Sequence, residues 1–191
     1  PGIAISGSAT LAYLSGQFLG AFVGATIAYV AYKRHFDAET DADKKLAVFA
    51  TGPAIRALRW NFATEVIGTF TLVLVILTFG HTPSGLGPAA AALLVVGIGA
   101  SLGGPTGYAV NPARDLGPRL AHALLPVRKP APAPADAVPV PVGSGAPAPT
   151  TSPDAHATPS AKDSDWGYAW VPVLGPLVGG ALAGIAAQFL F

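Results

Sequence analysis

The strongest constraint on this chain is where charged residues are absent. No Asp, Glu, Lys or Arg occurs from Pro1 to Tyr32, from Val66 to Ala113, or from Trp166 to Phe191. A helix that crosses the hydrocarbon core of a bilayer needs about 20 mostly apolar residues. The three stretches hold four such runs, at about 11–32, 61–79, 88–102 and 168–189. The middle two are parted by Gly80-His81-Thr82-Pro83-Ser84-Gly85-Leu86-Gly87, a series of turn-forming residues. A soluble helical bundle would need a charged outer face. With 11% charged residues, against roughly 25% in soluble domains, the chain cannot make one. No basic segment precedes a short apolar core, so none of the runs reads as a signal peptide.

The remaining composition excludes whole classes. A net charge of +1 lacks the basic surplus of a nucleic-acid binder. A hydrophobic content of 51% is far from that of a disordered chain. With no cysteine, disulfide frameworks and thiolate metal sites are out. No nucleophile–base pair, metal-ligand cluster or cofactor motif is present, so neither enzymatic activity nor a cofactor is expected. The expected class is an all-α membrane protein.

Small residues recur inside the spans at helical spacing. Gly16, Gly20 and Gly24 share one helix face, as do Gly175 with Gly179 and Gly180 with Gly184. Such stripes let helix backbones approach in lipid. The segments 17–24 and 177–184 also resemble each other, a weak internal repeat of the kind found in transport proteins. Lys33 to Trp60 reads as a mixed-charge connection. The stretch 128–165, rich in Pro and Ala, reads as a disordered loop outside the bilayer. Tyr29, Tyr32, Trp60, Phe62, Trp166, Tyr168 and Trp170 cluster at span ends, as expected of headgroup-level anchors. All 11 Lys and Arg lie on one face or on segments entering from it, which the positive-inside rule would make cytoplasmic.

Function is carried by the segment 103–125. Asn111 is a strong N-cap and Pro112 suits the first helical position, so a short helix should run from there to about Leu125. It is too short to span. The Gly-rich stretch before it suits extended backbone, which membrane depth tolerates only where protein buries it or where it lines a wet cavity. This is the pattern of a re-entrant loop and half-helix. Its positive end would point toward the bilayer centre. The Asn111 carboxamide offers two N–H donors. Arg114 lies one turn along, and an arginine at this depth is a functional residue by default.

Asn111-Pro112-Ala113-Arg114 resembles the second signature of the aquaporin (major intrinsic protein) family, and the run from Gly104 to Arg119 resembles its glycerol-facilitator branch. The resemblance extends to 46–56, 64–70 and 171–176. It implies a partial aquaporin-like bundle of four spans and one half-helix. The family has six spans and two Asn-Pro-Ala motifs, so an N-terminally incomplete member is expected, with 2–6 as the tail of a first half-helix. It implies a passive channel for glycerol and other small neutral polyols, with some water. Arg114 resembles the arginine of the family's constriction and Tyr108 its aromatic wall. Gly99 falls where water-selective members place His. Gly107, Tyr108 and Ala109 would supply pore-facing carbonyls. Pro112 and Ala113 complete the motif, and Asp115 is expected to fix the loop. Glu65 resembles the glutamate that braces the re-entrant loop. The resemblance further implies a homotetramer in the lipid bilayer of the cell membrane, and an extracytoplasmic position for the face carrying the Pro/Ala insert, against the charge rule. Three competing readings stay open: a water-selective channel, which Gly99 opposes; a secondary transporter of a small polar solute, for which Glu65 alone is thin support; and a non-conducting membrane scaffold.

Overall fold

The computed structural model describes residues 6–79, 86–127 and 162–190. Among these residues all regular structure is helical: α1 (Gly7–Ala31), α2 (Lys33–Ala38), α3 (Ala42–Phe49), α4 (Leu58–Phe79), α5 (Gly87–Thr106), α6 (Pro112–Leu124) and α7 (Trp170–Leu190). Helices α1, α4, α5 and α7 are long and apolar enough to cross a membrane. They coincide with the four expected spans. Residues 80–85 of the expected turn and 2–5 of the expected half-helix tail lie outside the described residues. Ser6 is the N-cap of α1, its hydroxyl accepting from the Ala9 N–H at 3.2 Å.

The bundle is built on two close helix pairs, and glycine sets each. On α7, a Cβ at Gly175 would sit 2.5 Å from the Glu65 Cβ, and one at Gly179 would sit 2.4 Å from the Val66 carbonyl oxygen. Helix α4 therefore approaches α7 backbone to backbone. Gly117 of α6 does the same for α1, where a Cβ would lie 2.8 Å from the Ala21 Cβ. The expected stripe on α1 does not act in this way. No described atom lies within 4 Å of a Cβ built at Gly16, Gly20 or Gly24. The small residue of that contact comes from α6, so α1 can meet it with Phe18, Ala21 and Phe22. At Gly180 only the Val73 side chain is near, at 3.9 Å, and Gly184 is open. Adding one methyl at Gly179 should force α4 and α7 apart. Gly179→Ala is expected to destabilise the protein by about 1–3 kcal/mol, read as a lowered melting temperature in detergent, whereas Gly184→Ala should leave it unchanged.

The connection after α1 is more ordered than its charge pattern suggests. Asp41 caps α3 by accepting from the Asp43 and Lys44 N–H groups. Phe36 of α2 and Phe49 of α3 join Tyr29 and Ala121 in a buried cluster, with ring centroids 5.2 Å and 5.4 Å apart along Tyr29–Phe36–Phe49. Tyr29 is thus a core residue, not a headgroup anchor, and its hydroxyl donates to the Pro126 carbonyl at 2.9 Å. Tyr168 is also fully buried. Trp60, Trp166 and Trp170 remain exposed, as a membrane-interface belt requires.

Two boundaries differ from expectation. Helix α5 does not stop at Leu102 but continues through Gly103, Gly104 and Pro105 to Thr106. Its last carbonyls find donors elsewhere. Gly104 accepts from the Ala54 N–H at 3.0 Å, and Pro105 from the Asn61 side chain at 2.9 Å. Left-handed Gly107 (φ 77°) closes the helix, its N–H bonded to the Gly103 carbonyl. Of the insert assigned to 128–165, residues 128–161 lie outside the described residues, and 162–165 are pinned to the bundle rather than loose. Lys162 donates to the Ala123 and Leu125 carbonyls at the C-terminal end of α6, and Ser164 is buried.

Candidate functional site

Helix α6 begins where its sequence dictates. Asn111 is extended (φ −159°, ψ 122°), and its side-chain oxygen accepts from the Ala113 N–H at 2.9 Å, with Pro112 at the first helical position. That cap fixes which end of the carboxamide is nitrogen. The Asn111 Nδ2 then donates to Gln17 Oε1 on α1 at 2.8 Å.

The loop leading to Asn111 is held under strain. Besides Gly107, the non-glycine residues Tyr108 (φ 42°) and Val110 (φ 43°) are left-handed. Such conformations persist only when surrounding structure imposes them. Here the constraint is Glu65 of α4, buried at 1% exposure, whose two carboxyl oxygens accept from the Ala109 and Val110 N–H groups at 2.9 Å and 2.8 Å. With the N–H groups drawn to one side, no described hydrogen bond reaches the carbonyls of Gly107 or Tyr108, and both residues keep open surface. Ala109 differs from expectation. It is 1% exposed, turned into the packed side of the loop by the bond to Glu65, so its carbonyl presents no open face here. Gly107 is required twice over: by its positive φ, and because a Cβ would sit 3.1 Å from the Thr51 Cβ.

Three of the expected residues come together on the open face. The Arg114 guanidinium carbon lies 5.3 Å from the centroid of the Tyr108 ring. Gly99 of α5 backs the same ring, with 3.1 Å from its Cβ position to the nearest ring carbons. Arg114 is exposed, and among the described residues no hydrogen bond or ion pair engages its guanidinium. The cluster therefore offers unengaged N–H donors beside an aromatic ring that occupies the place a side chain at position 99 would take.

Behind α6 lies a charged network with a fully buried centre. Asp115 and Arg119, both 0% exposed, pair through Arg119 Nε at 2.7 Å and Nη2 at 2.9 Å. Asp115 Oδ2 also accepts from the Thr51 N–H and hydroxyl at 2.8 Å and 2.6 Å. The remaining Arg119 donors reach the carbonyls of Thr51, Ser164 and Asp165. Asp165 pairs in turn with Arg56 through two bonds, at 2.7 Å and 2.9 Å. One guanidinium thus ties α6 to the segments before α4 and before α7. His122, whose Nδ1 is 2.8 Å from the Ser164 hydroxyl, is pulled down to about 4 by burial and by nearby Lys162 and Arg119, and is neutral at ordinary pH. Its ring packs against Phe49, with centroids 5.4 Å apart.

The sequence alone does not single out Asn61 or Gln17, and it gives Arg119 only as part of the run that resembles the glycerol-facilitator branch, without a role in the site. Signals for two of them are present in it. Arg119 stands four residues from Asp115, the spacing of a helical ion pair, and Gln17 is the one carboxamide in the first charge-free stretch.

The chain matches the family described as major intrinsic protein over residues 2–187. It is 44% identical over 181 residues to the "Probable glycerol uptake facilitator protein" of Thermotoga maritima, covering 94% of this chain and 64% of that protein. It is 41% identical over 195 residues to glycerol uptake facilitator protein 3 of Lactiplantibacillus plantarum, covering 99% and 68%. With the glycerol uptake facilitator protein of Bacillus subtilis the identity is 43% over 175 residues, covering 91% and 53%. The chain therefore spans from about half to two thirds of the length of these curated relatives.

Proposed function

The chain belongs to the major intrinsic protein family, and from that premise we propose that the protein is a passive channel for glycerol and similar small neutral polyols, with some water passing. The observation that carries this reading is the cluster of Gly99, Tyr108 and Arg114. A polyol has an apolar carbon face and a hydroxyl edge. The Tyr108 ring suits the first and the unengaged Arg114 donors suit the second. The missing side chain at Gly99 lets the Tyr108 ring lie back against α5, which draws the ring away from the path a carbon chain would take. Arg114 and the positive end of α6 together oppose cations and protons, an electrostatic barrier of a kind already established for aquaporin-type pores. No bond is made or broken, so the protein is not an enzyme. The reading includes a multi-pass position in the plasma or inner membrane and a homotetrameric assembly, both supported by membership of the family rather than by any contact within the chain.

The test is a swelling assay on the full-length protein in proteoliposomes, with glycerol and impermeant-solute gradients. Glycerol-driven swelling that needs no ion gradient supports the channel. Water flux without glycerol flux would move the assignment to a water-selective pore, and dependence on an ion gradient to a secondary transporter. Position 99 gives a sharper expectation. In Gly99→His the new Cβ meets the Tyr108 ring at 3.1 Å, so the ring must move off α5 and, with the imidazole, crowd the Arg114 donors. Glycerol flux should fall at least tenfold, about 1.4 kcal/mol of added barrier, while water flux is largely retained. Equal glycerol flux in the variant would show that this cluster is not the constriction.

A further inference from the structure

A carboxamide inside an apolar span is costly unless it has a partner. The other described hydrogen bonds of side chains within α1 show how such residues are normally settled. Ser15 donates to Leu11 and Thr26 to Phe22, each to a carbonyl of its own helix. Tyr29 reaches out, but at the end of the span. Gln17 is the residue in the middle of α1 that reaches another element, and it does so with only half of its side chain. Its Oε1 accepts from Asn111 Nδ2. Its own Nε2 carries two hydrogens for which the described residues offer no acceptor. Gln17 is exposed, on the side of α1 open to the start of α6.

We propose that Gln17 is a solute-contacting pore residue: its carbonyl oxygen locks the Asn111 carboxamide, and its free amide hydrogens bind the hydroxyls of a passing polyol at the level of the α6 N-terminus. The proposal rests on the channel reading and deepens it. The bond from Asn111 uses one of that residue's two N–H donors. The second is left for solute, and Gln17 adds two more beside it. Asn111 cannot rotate to use both of its own hydrogens on solute, because its oxygen is held by Ala113. A pair of facing carboxamides in this arrangement favours solutes with several hydroxyls over those with fewer.

The experiment compares wild type, Gln17→Met and Gln17→Glu in proteoliposomes, with glycerol and 1,2-propanediol as probes. Met matches the length of Gln and removes both functions. Glu keeps an acceptor for Asn111 and removes the amide hydrogens. In both variants glycerol flux should fall about threefold to tenfold, the worth of one hydrogen bond, and the glycerol-to-propanediol ratio should fall with it. The ratio does not depend on how much protein is folded, so a partial folding defect leaves the test intact. No swelling by the wild type overturns the channel reading and this inference together. A conducting wild type matched by Gln17→Met overturns this inference alone. Loss in Gln17→Met with an unchanged ratio in Gln17→Glu makes Gln17 a brace for Asn111, which also overturns it.

Discussion

Replacing Arg119 with Leu is expected to cost the folded protein about 3–5 kcal/mol, the penalty for leaving one member of a buried ion pair without its partner. The side chain is 0% exposed and all five of its N–H donors are committed: three to carbonyls of Thr51, Ser164 and Asp165, two to Asp115. In the variant Asp115 keeps only the two bonds from Thr51, and three carbonyls lose their donor. Arg119→Lys retains the charge but not the planar fork and should fall between. Replacing both partners by apolar residues removes the stranded charge as well, so the double variant Asp115→Leu/Arg119→Leu is expected to recover part of the loss. Thermal unfolding in detergent, followed by circular dichroism, reads all three. A melting temperature for Arg119→Leu within about 2 °C of wild type would contradict the network's role, since even 1 kcal/mol shifts a chain of this size by roughly that much or more.

This network also marks where sequence reading stops. The spans were legible because exclusion of charge from lipid is written in composition. The start of α6 was legible because Asn-Pro is a local signal, sufficient without any partner. The end of α5 was not. Gly103-Gly104-Pro105 looks like a helix breaker, and it stays helical because Ala54 and Asn61, distant in the chain, satisfy its last carbonyls. Helices α2 and α3 were missed for the same reason. They are short and polar, and what orders them is the packing of Phe36 and Phe49 against Tyr29 and Ala121, which no local pattern reveals. At the site, the residue types at 99, 108, 111 and 114 could be read in advance. The inward turn of Ala109 could not, because it depends on which N–H groups Glu65 reaches.

That dependence leads to the second large effect. In Glu65→Leu the Ala109 and Val110 N–H groups lose both acceptors at a buried position, at about 1–3 kcal/mol for each unsatisfied group. Those bonds hold Tyr108 and Val110 in left-handed conformations, which themselves cost about 1–3 kcal/mol each to maintain. Without Glu65 the strain and the lost bonds act in the same direction, so the loop should relax while α4, whose apolar surface is unchanged, stays helical. Even the low estimate of about 2 kcal/mol reduces the native loop population roughly thirtyfold. Because Tyr108 and Arg114 are positioned by this loop and the helix it feeds, glycerol flux should fall by a similar factor and far-ultraviolet circular dichroism should not change. Glu65→Gln tests the cause. It keeps one acceptor but places its amide hydrogens against a backbone N–H, so it should restore less than half of the lost flux in spite of its matching size. Wild-type flux in Glu65→Gln would mean that one bond suffices to hold the loop; wild-type flux in Glu65→Leu would mean that the left-handed backbone is imposed by something other than Glu65.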